Sequence, residues 1–375
     1  MNTNTETKQH TVFAKIPQPL LRWYKSQGRA LPWRENQNPY YIWISEIMLQ
    51  QTRVEAVKPY FSRFITMLPT VAALAAVTEE ELLKLWEGLG YYSRARNLKL
   101  AAEKIMTDHN GLIPADFDIL LTLPGIGRYT AGAISSIAYG KRVPAVDGNA
   151  LRIIMRLLAC RDDVLKEKTR RQVEAWLQEI LPPDAGAFNQ ALMDLGASVC
   201  LPKKAAKCPD CPLKQLCLAY DSNEVSQLPV KTEKKVRRIE QRTVLLIISN
   251  EKIALQQRPR TGLLAGLWEL PNFTGTLSAG EISQKLSALG LRSSALIPLA
   301  PSRHVFSHIE WHITAYCAVV EPAGVAEDSA VYGNGAPPVL CWSEKTALQN
   351  RYALPSAFIP YIRFFLDKSA EITAV

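Results

Sequence analysis

The stretch LPGIGRYTAGAI, residues 123–134, gives the strongest indication of how the first half of the chain folds. Gly125 and Gly127 lack a Cβ atom, so the backbone can turn sharply there and approach a ligand closely. The residues from Tyr129 onward favour a helix, whose first N–H groups and partial positive charge would face the turn. This pattern predicts a seat for a phosphate, but it also fits a helix-turn-helix that is packed only for stability.

A second indication comes from cysteines with the spacing Cys-x7-Cys-x2-Cys-x5-Cys, at Cys200, Cys208, Cys211 and Cys217. Four thiolates so close together can surround one metal centre, and both zinc and an iron–sulfur cluster accept them. Four unrelated buried cysteines are the alternative. The three remaining cysteines are scattered, so the distribution indicates a metal site in a reducing compartment and not a disulfide framework.

Two carboxylates stand beside apolar helical sequence. Glu46 in YIWISEIMLQQT is crowded by Ile44 and Ile47, and burial there would raise its pKa and favour its acid form. Asp147 in VDGNALRIIM directly precedes a predicted helix. An acid and a carboxylate in different environments can cleave a glycosidic bond. A surface glutamate and a helix N-cap are the alternative interpretations of these two residues.

The bulk composition is that of a folded protein with two domains. The chain has 375 residues, and 47% of them are hydrophobic, which is enough for a sizeable core. The formal net charge of +9 suits a polyanionic partner or a solvated basic surface. The polar start MNTNTETKQH lacks the apolar core of a signal peptide, and no run of about 18 apolar residues follows. We therefore expect a cytoplasmic protein without a membrane partner.

The hydrophobic periodicity changes near the middle of the chain. Residues 11–220 repeat apolar side chains at helical spacing and are predicted to be mostly helical. Residues 221–241 are polar and aperiodic, and we predict an interdomain linker. Residues 242–368 contain short β-prone runs such as RTVLLIIS and HITAYCAVV, with predicted helices in SAGEISQKLSALG and LPSAFIPYIRFFLDK. This second domain is predicted to be α+β.

Several short motifs occur together in a specific order. They are LPWR (31–34), SEIMLQQTRV (45–54), GLGYYSRARNL (88–98), LPGIGRYTAGAI, VDGNALR (146–152), FNQALMDLGA (188–197), the four cysteines and FSH (306–308). In this order they resemble the adenine DNA glycosylases of the MutY family. The resemblance implies an all-α helix-hairpin-helix glycosylase domain with a cluster loop, followed by an α+β Nudix-like domain. Such enzymes, here expected to be monomeric, remove adenine opposite 8-oxoguanine or guanine in double-stranded DNA.

The resemblance also implies a role for each matching residue. Glu46 would protonate the leaving adenine, and Asp147 would stabilise or capture the sugar cation. Tyr129 and Asn149 would be their hydrogen-bond partners. The implied DNA contacts are Gly125 and Gly127 at a phosphate, with Arg29, Trp33, Gln51, Leu89, Tyr91, Gln190, Phe306, Ser307 and His308 at the bases. Among the last three, Ser307 would bond the altered N7–H edge of 8-oxoguanine.

Relatives of the endonuclease III type, which are glycosylases and lyases, carry a lysine at the position of Tyr129. That lysine forms a Schiff base with the sugar, which a tyrosine cannot do. The substitution therefore predicts a monofunctional enzyme that leaves an intact abasic site. A lyase acting on oxidised pyrimidines is the competing interpretation. A DNA-damage sensor without catalysis is another, although the presence of both Glu46 and Asp147 opposes it.

The resemblance implies that the four cysteines hold a [4Fe–4S] cluster. The usual first spacing in the family is Cys-x6-Cys, whereas this chain has seven residues between Cys200 and Cys208. One extra residue can bulge from the loop without moving the ligands. Lys203 and Lys204 of this loop could meet DNA phosphates. In the Nudix-like domain, the helix AGEISQKLSALG offers only Glu281 as a carboxylate, so we do not expect metal-dependent pyrophosphate hydrolysis.

Overall fold

The structure is a computed structural model that describes residues 13–202, 205–232, 236–321 and 339–372. Lys203 and Lys204 lie outside the described residues. The chain divides into two compact units, and each is described by itself. The first unit comprises the described parts of Met1–Val77 and Ser93–Glu233, and the second comprises Thr78–Tyr92 together with the described residues after Lys234.

The first unit is helical, as the sequence predicts. In chain order the helices are α1 (Pro17–Gln27), α2 (Pro39–Leu49), α3 (Val54–Met67), α4 (Val71–Ala76), α5 (Glu79–Leu85, which belongs to the second unit), α6 (Ser93–Asp108), α7 (Phe117–Leu121), α8 (Arg128–Ala133, followed by a π-helical turn, Ile134–Ala138), α9 (Gly148–Leu157), α10 (Glu167–Ile180), α11 (Ala185–Ser198) and α12 (Leu218–Asp221). Leu20 of α1, Ile154 of α9 and Leu192 of α11 meet in one fully buried core. The expected all-α domain is confirmed.

The second unit contains a mixed β-sheet. Its strands are β1 (Arg238–Ser249), β2 (Lys252–Gln257), β3 (Trp268–Glu269), β4 (Asn272–Thr274), β5 (Ser293–Val305), β6 (Ile309–Val320) and β7 (Cys341–Ser343). The strand order is β3-β2-β1-β6-β5, with β4 paired to β1 and β7 paired to β2. β1 and β6 run parallel, from the pair Arg238 and Ile309 to the pair Ile248 and Val319. The other pairings are antiparallel.

Both faces of this sheet are covered, which explains the continuous apolar run in β1. Leu246 faces a core that includes Phe358, in a short 3₁₀ turn (Ser356–Phe358), next to α14 (Lys345–Asn350) and α15 (Ile359–Ile372). Leu245 faces the opposite core, where it meets Ile282 of α13 (Ala279–Ala288). The α+β prediction is confirmed. Within the described ranges, no helix combines the length and apolarity needed to cross a membrane.

Candidate active site

Glu46 lies on α2, a helix that is buried on nearly every side. Asn38 caps the helix by accepting a 2.9 Å hydrogen bond from the Tyr40 N–H, and Pro39 occupies its first turn. The neighbouring side chains are apolar, and Glu46 is only 5% exposed. This desolvation raises the pKa of Glu46 to about 7. The alternative of a surface glutamate is therefore excluded.

Tyr129 on α8 contacts this buried carboxyl group directly. Its hydroxyl donates a 2.5 Å hydrogen bond to Oε2 of Glu46. Burial, followed by the charges of Glu46 and Asp147, raises the pKa of Tyr129 well above its ordinary value, so the phenol keeps its proton and acts as the donor. The Tyr129 bond and the Arg34 guanidinium pull the Glu46 pKa down, but burial outweighs them. The bond to Oε2 leaves Oε1 of Glu46 to carry a proton.

Asp147 is the N-cap of α9, as the alternative interpretation predicted. Its Oδ1 accepts hydrogen bonds from the backbone N–H groups of Asn149 (2.9 Å) and Ala150 (2.7 Å). Its Oδ2 accepts a 2.6 Å bond from Nδ2 of Asn149. Burial raises the pKa of Asp147, and these three bonds oppose the rise because they favour the carboxylate. The charge of Asp147 raises the pKa of both Glu46 and Tyr129, so the capping carboxylate acts on the same site as these two residues. Its capping role is therefore compatible with a catalytic role.

Asn149 is held in turn by Arg152, one helical turn further along α9. Nη2 of Arg152 donates to Oδ1 of Asn149 and to the carbonyl of Gly196, both at 2.8 Å. Nε of Arg152 donates to the carbonyl of Cys200 at 2.8 Å. A chain of hydrogen bonds thus joins the cysteine segment to Asp147. Arg152 was not predicted as a site residue, although its three-residue spacing from Asn149 within VDGNALR is typical of side chains that meet on one helix face.

A buried ionic network lies on another side of the site. Asp194 has a fully buried side chain, and it pairs with Arg29 at 2.6 Å and with Arg34 at 2.8 Å. The hydrogen bonds and charge of Arg34 hold the pKa of Asp194 below its ordinary value in spite of burial. Arg34 also lowers the pKa of Glu46 through its charge. Arg34 and Asp194 lie within the motifs LPWR and FNQALMDLGA, but their pairing was not predicted because 160 residues separate them.

The first unit contains a cavity of about 1240 Å³ whose wall includes Arg29 and Gln190. Compact small-molecule pockets have volumes of about 300–1,000 Å³, so the cavity is large enough for a nucleobase. Gln190 accepts a 2.8 Å hydrogen bond from the Tyr24 hydroxyl. Glu46 does not line this cavity, but the network of Arg29, Asp194 and Arg34 connects the cavity wall to the charge environment of Glu46.

Two residues implied to contact the bases lie elsewhere in the first unit. Trp33 is 3% exposed and packs edge-on against Phe61, with their ring centroids 5.4 Å apart. It therefore contributes to the core and does not line the cavity. Gln51 is exposed just after α2 and has a left-handed backbone, with φ of 59°. That conformation is uncommon for a residue other than glycine and marks a tight turn.

The LPGIG turn joins α7 to α8, and its two glycines differ. Gly125 has φ of +76°, and a Cβ atom added there would lie 2.7 Å from Cβ of Asn97, so glycine is required. Gly127 has φ of −93°, which any residue can adopt, and open space lies where its Cβ would be. Of the two glycines, only Gly125 is required by the conformation of the turn. The contribution of Gly127 is an exposed backbone that a ligand can approach.

Leu89, Tyr91 and the FSH triplet belong to the second unit. Leu89 is 7% exposed, whereas Tyr91 is 45% exposed and has φ of 48°. The triplet forms the tip of the antiparallel hairpin between β5 and β6. Ser307 and His308 are exposed there. Glu281 of α13 is engaged in a capping box, where Oε2 accepts a 2.8 Å bond from the Ser278 N–H.

All four clustered cysteines line a single cavity in the first unit. Burial raises the pKa of Cys211 to about 12 and that of Cys217 to about 11. A buried guanidinium, Arg156, donates a hydrogen bond to Sγ of Cys200 at 3.3 Å. Within the described ranges, no three His, Cys, Asp or Glu side chains converge closely enough to hold one metal ion. Both a single zinc ion and an iron–sulfur cluster accept four thiolate ligands, so this donor set is compatible with either centre.

The chain is similar to known families in both of its halves. Residues 44–183 match the family described as HhH-GPD superfamily base excision DNA repair protein, and residues 243–363 match the NUDIX domain. The solved structure of a thermostable thymine-DNA glycosylase is 27% identical, with a TM-score of 0.51, and the match covers 58% of this chain and 99% of that one. The fold and the site therefore define a helix-hairpin-helix DNA glycosylase with a Nudix-type domain.

Similarity to curated relatives identifies the family. The chain is 34% identical to the adenine DNA glycosylase of Rattus norvegicus, over 80% of this chain and 70% of the relative. It is 35% identical to the adenine DNA glycosylase of Buchnera aphidicola from Schizaphis graminum, over 80% of this chain and 86% of the relative. The chain belongs to the adenine DNA glycosylase family. It is a hydrolase of N-glycosyl bonds that excises adenine in base excision repair, and the family predicted from the sequence is confirmed.

Proposed function

We propose that the chain is a monofunctional glycosylase that excises adenine paired with 8-oxoguanine or guanine in double-stranded DNA. The contact between Tyr129 and Glu46 carries the proposal. It combines a buried carboxylic acid, whose pKa is about 7, with a neutral phenol that fixes the orientation of that acid. The capped carboxylate of Asp147 completes the group.

The first step is protonation of the base. Adenine is a poor leaving group as an anion, so an acid must deliver a proton to it, and N7 is the exposed acceptor. Glu46 is half protonated near pH 7, because its pKa is about 7. Tyr129 holds Oε2, so Oε1 is the oxygen that donates the proton. The base reaches such a buried acid only after it has left the helical stack.

The second step is stabilisation of the sugar. Cleavage of the N-glycosidic bond leaves an oxocarbenium-like cation, which a nearby carboxylate stabilises or captures before water arrives. Asp147 suits this task because its three hydrogen bonds hold the carboxylate in one orientation. Having lost its proton, Glu46 can then accept one from the attacking water. Asn149 supports Asp147 and does not react.

The side chain at position 129 has no amine, which bears on whether a lyase step follows hydrolysis. A lyase step needs a primary amine that attacks C1′ of the sugar and expels the base as a Schiff base forms. The side chain at this position is a phenol whose raised pKa keeps it neutral. Hydrolysis therefore ends at an intact abasic site.

We assign reading of the opposite base to the second unit. Ser307 and His308 are exposed at the hairpin tip, and the Ser307 hydroxyl can accept a hydrogen bond from the N7–H that 8-oxoguanine has and guanine lacks. Tyr91 has an exposed aromatic ring that can wedge into the duplex. In the first unit, the exposed Gly125 and Gly127 suit a backbone contact to a DNA phosphate.

We propose that the four cysteines hold a [4Fe–4S] cluster, and their placement around one shared cavity supports this proposal. Such a cluster would supply a rigid cross-link for the segment from Cys200 to Cys217. The Arg152 contacts then relate this segment to Asn149 and Asp147. The cluster has a structural role in this proposal, and it takes no part in bond cleavage.

The proposal is tested by adenine release under single-turnover conditions from duplexes with one adenine opposite 8-oxoguanine, guanine or thymine. We expect fast release opposite 8-oxoguanine, slower release opposite guanine and none opposite thymine. Treatment with borohydride should trap no covalent complex with DNA. Release opposite thymine at the same rate, or a trapped Schiff base, would overturn the proposal.

A further inference from the structure

We infer that Lys84 and Glu87 are positioning residues that fix the loop Gly88–Tyr92 to the core of the second unit, and that they thereby set the preference for 8-oxoguanine over guanine. The inference rests on the proposed function, since it assigns reading of the opposite base to this unit. It concerns specificity and leaves the chemistry at Glu46 and Asp147 unchanged.

The two side chains form a largely buried ion pair that also binds backbone. Nζ of Lys84 lies 2.6 Å from Oε2 of Glu87 and donates to the carbonyl of Tyr352 at 3.0 Å. It also approaches the carbonyl of Leu348 at 3.4 Å. Oε1 of Glu87 accepts a 2.8 Å hydrogen bond from the Leu354 N–H. The side chains of Lys84 and Glu87 are 19% and 30% exposed, respectively. These five groups are called the latch below.

The backbone groups of the latch need these partners. Leu348 lies in the last turn of α14, where carbonyls lack partners within the helix and attract a cation. Tyr352 and Leu354 follow in an irregular segment, yet both are at least 94% buried. Buried backbone N–H and C=O groups without hydrogen-bond partners destabilise a fold. Lys84 of α5 and Glu87 supply such partners to the backbone of residues 348–354.

The latch leads directly into the loop that carries Tyr91. Glu87 precedes Gly88, and the indole N–H of the buried Trp86 donates to the Gly90 carbonyl at 3.1 Å. The loop is left-handed at three residues, with φ of 95° at Gly88, 70° at Gly90 and 48° at Tyr91. A tyrosine in this conformation is strained, so the surrounding structure must hold it. The latch fixes the start of this strained loop.

The hairpin tip is attached to the same core. The Phe306 ring lies between His304 and Trp311, with centroids 4.6 and 4.9 Å away, and the Phe306 N–H donates to the Ile309 carbonyl at 2.8 Å. Trp311 and Tyr352 belong to one buried cluster. The loop is proposed to wedge into the duplex and the tip to contact the opposite base, and both are thus attached to the same core of the second unit. The latch provides the polar contacts between the start of the loop and this core.

The test compares Lys84→Met and Glu87→Gln with wild type in single-turnover release of adenine opposite 8-oxoguanine and opposite guanine. We expect the ratio of the two rates to fall about tenfold, since a small displacement of a positioned group has such an effect, while the rate opposite guanine changes little. Lys84→Arg keeps the charge and should restore most of the ratio. Lys104→Met is the matched control, because Lys104 forms an exposed pair with Asp108 at 2.9 Å in the first unit.

An unchanged ratio in Lys84→Met, or a parallel fall of both rates, would overturn the inference, because a purely structural role affects both substrates alike. If Lys84→Met does not fold, Glu87→Gln decides, since glutamine retains an acceptor for the Leu354 N–H. If wild type releases no adenine opposite 8-oxoguanine, the proposed function has failed. The ratio of dissociation constants for the two duplexes then tests the latch by the same criterion.

Discussion

The hydroxyl of Tyr129 donates a 2.5 Å hydrogen bond to Oε2 of Glu46 and joins the helix after the LPGIG turn to the buried helix α2. The bond has two consequences for the acid. It selects Oε1 as the oxygen that carries the proton, and it moderates a pKa that burial alone would raise further. Tyr129 thus has a direct contact with the carboxyl group that we propose as the general acid.

Replacing Tyr129 with phenylalanine should raise the pKa of Glu46 above about 7, because the lost hydrogen bond favours the carboxylate. The fall of activity at high pH should then shift to higher pH. The maximal rate should drop about tenfold, since the acid is no longer oriented. A single-turnover pH profile measures both effects. A fall that shifts to lower pH would contradict the assignment of this bond.

Glu46→Gln should stabilise the protein at high pH. The folded-state pKa is raised, so the acid form is favoured, and the cost of burying the charge grows as pH rises from about 4.5 through about 7. At full ionisation this cost is about 3 kcal/mol, from roughly 1.4 kcal/mol per pKa unit. Urea unfolding near pH 8.5 should therefore show a higher free energy of unfolding for Glu46→Gln than for wild type. Near pH 4.5 the two values should differ little.

The control for this measurement is Glu55→Gln, because the side chain of Glu55 is 80% exposed. It should leave the free energy of unfolding nearly unchanged at both pH values. A gain in Glu46→Gln that is the same at both pH values would mean that its charge is not the cause.

Gly196→Ala should impair catalysis indirectly, through the position of Asn149. An added Cβ atom would lie 2.4 Å from Cβ of Asn149, so Asn149 must move away from Asp147. A displacement of about 1 Å in such a support can lower a rate about 100-fold. Gly148→Ala is the matched control, because it lies on the same helix α9 and its added Cβ meets nothing within 4 Å. Equal rates for both variants under single-turnover conditions would argue against the support role of Asn149.

Cys211→Ser should lower the iron content of the purified protein, because this sulfur lines the shared cavity. Cys160→Ser is the control, since Cys160 packs against the same hydrophobic core but does not line that cavity. Elemental analysis and the visible absorbance of the cluster measure the difference. Equal iron content in both variants, or zinc in place of iron in the wild type, would contradict the proposed cluster.

The sequence predicted elements whose determinants are local. The apolar crowding around Glu46 predicted its burial, and the β-prone runs RTVLLIIS and HITAYCAVV predicted strands where β1 and β6 are found. The pairing of Asp194 with Arg34 spans 160 residues, and the contact of Lys84 with Tyr352 spans 268. Contacts of such sequence separation depend on how whole elements pack, and no local pattern encodes them. Glycine identity alone did not reveal that only Gly125 of the LPGIG turn has a positive φ.

The central claim is that Glu46 acts as a buried general acid in adenine excision. The most direct test is the single-turnover rate of adenine release opposite 8-oxoguanine, measured from about pH 5 to 9 for wild type, Glu46→Gln and Glu55→Gln. We expect the wild-type rate to fall as pH rises through about 7, and Glu55→Gln to follow it. Glu46→Gln should be slower by about 10²–10⁴-fold at its maximum. A wild-type rate that is constant over this range, or a Glu46→Gln variant that retains the wild-type rate, would contradict the claim.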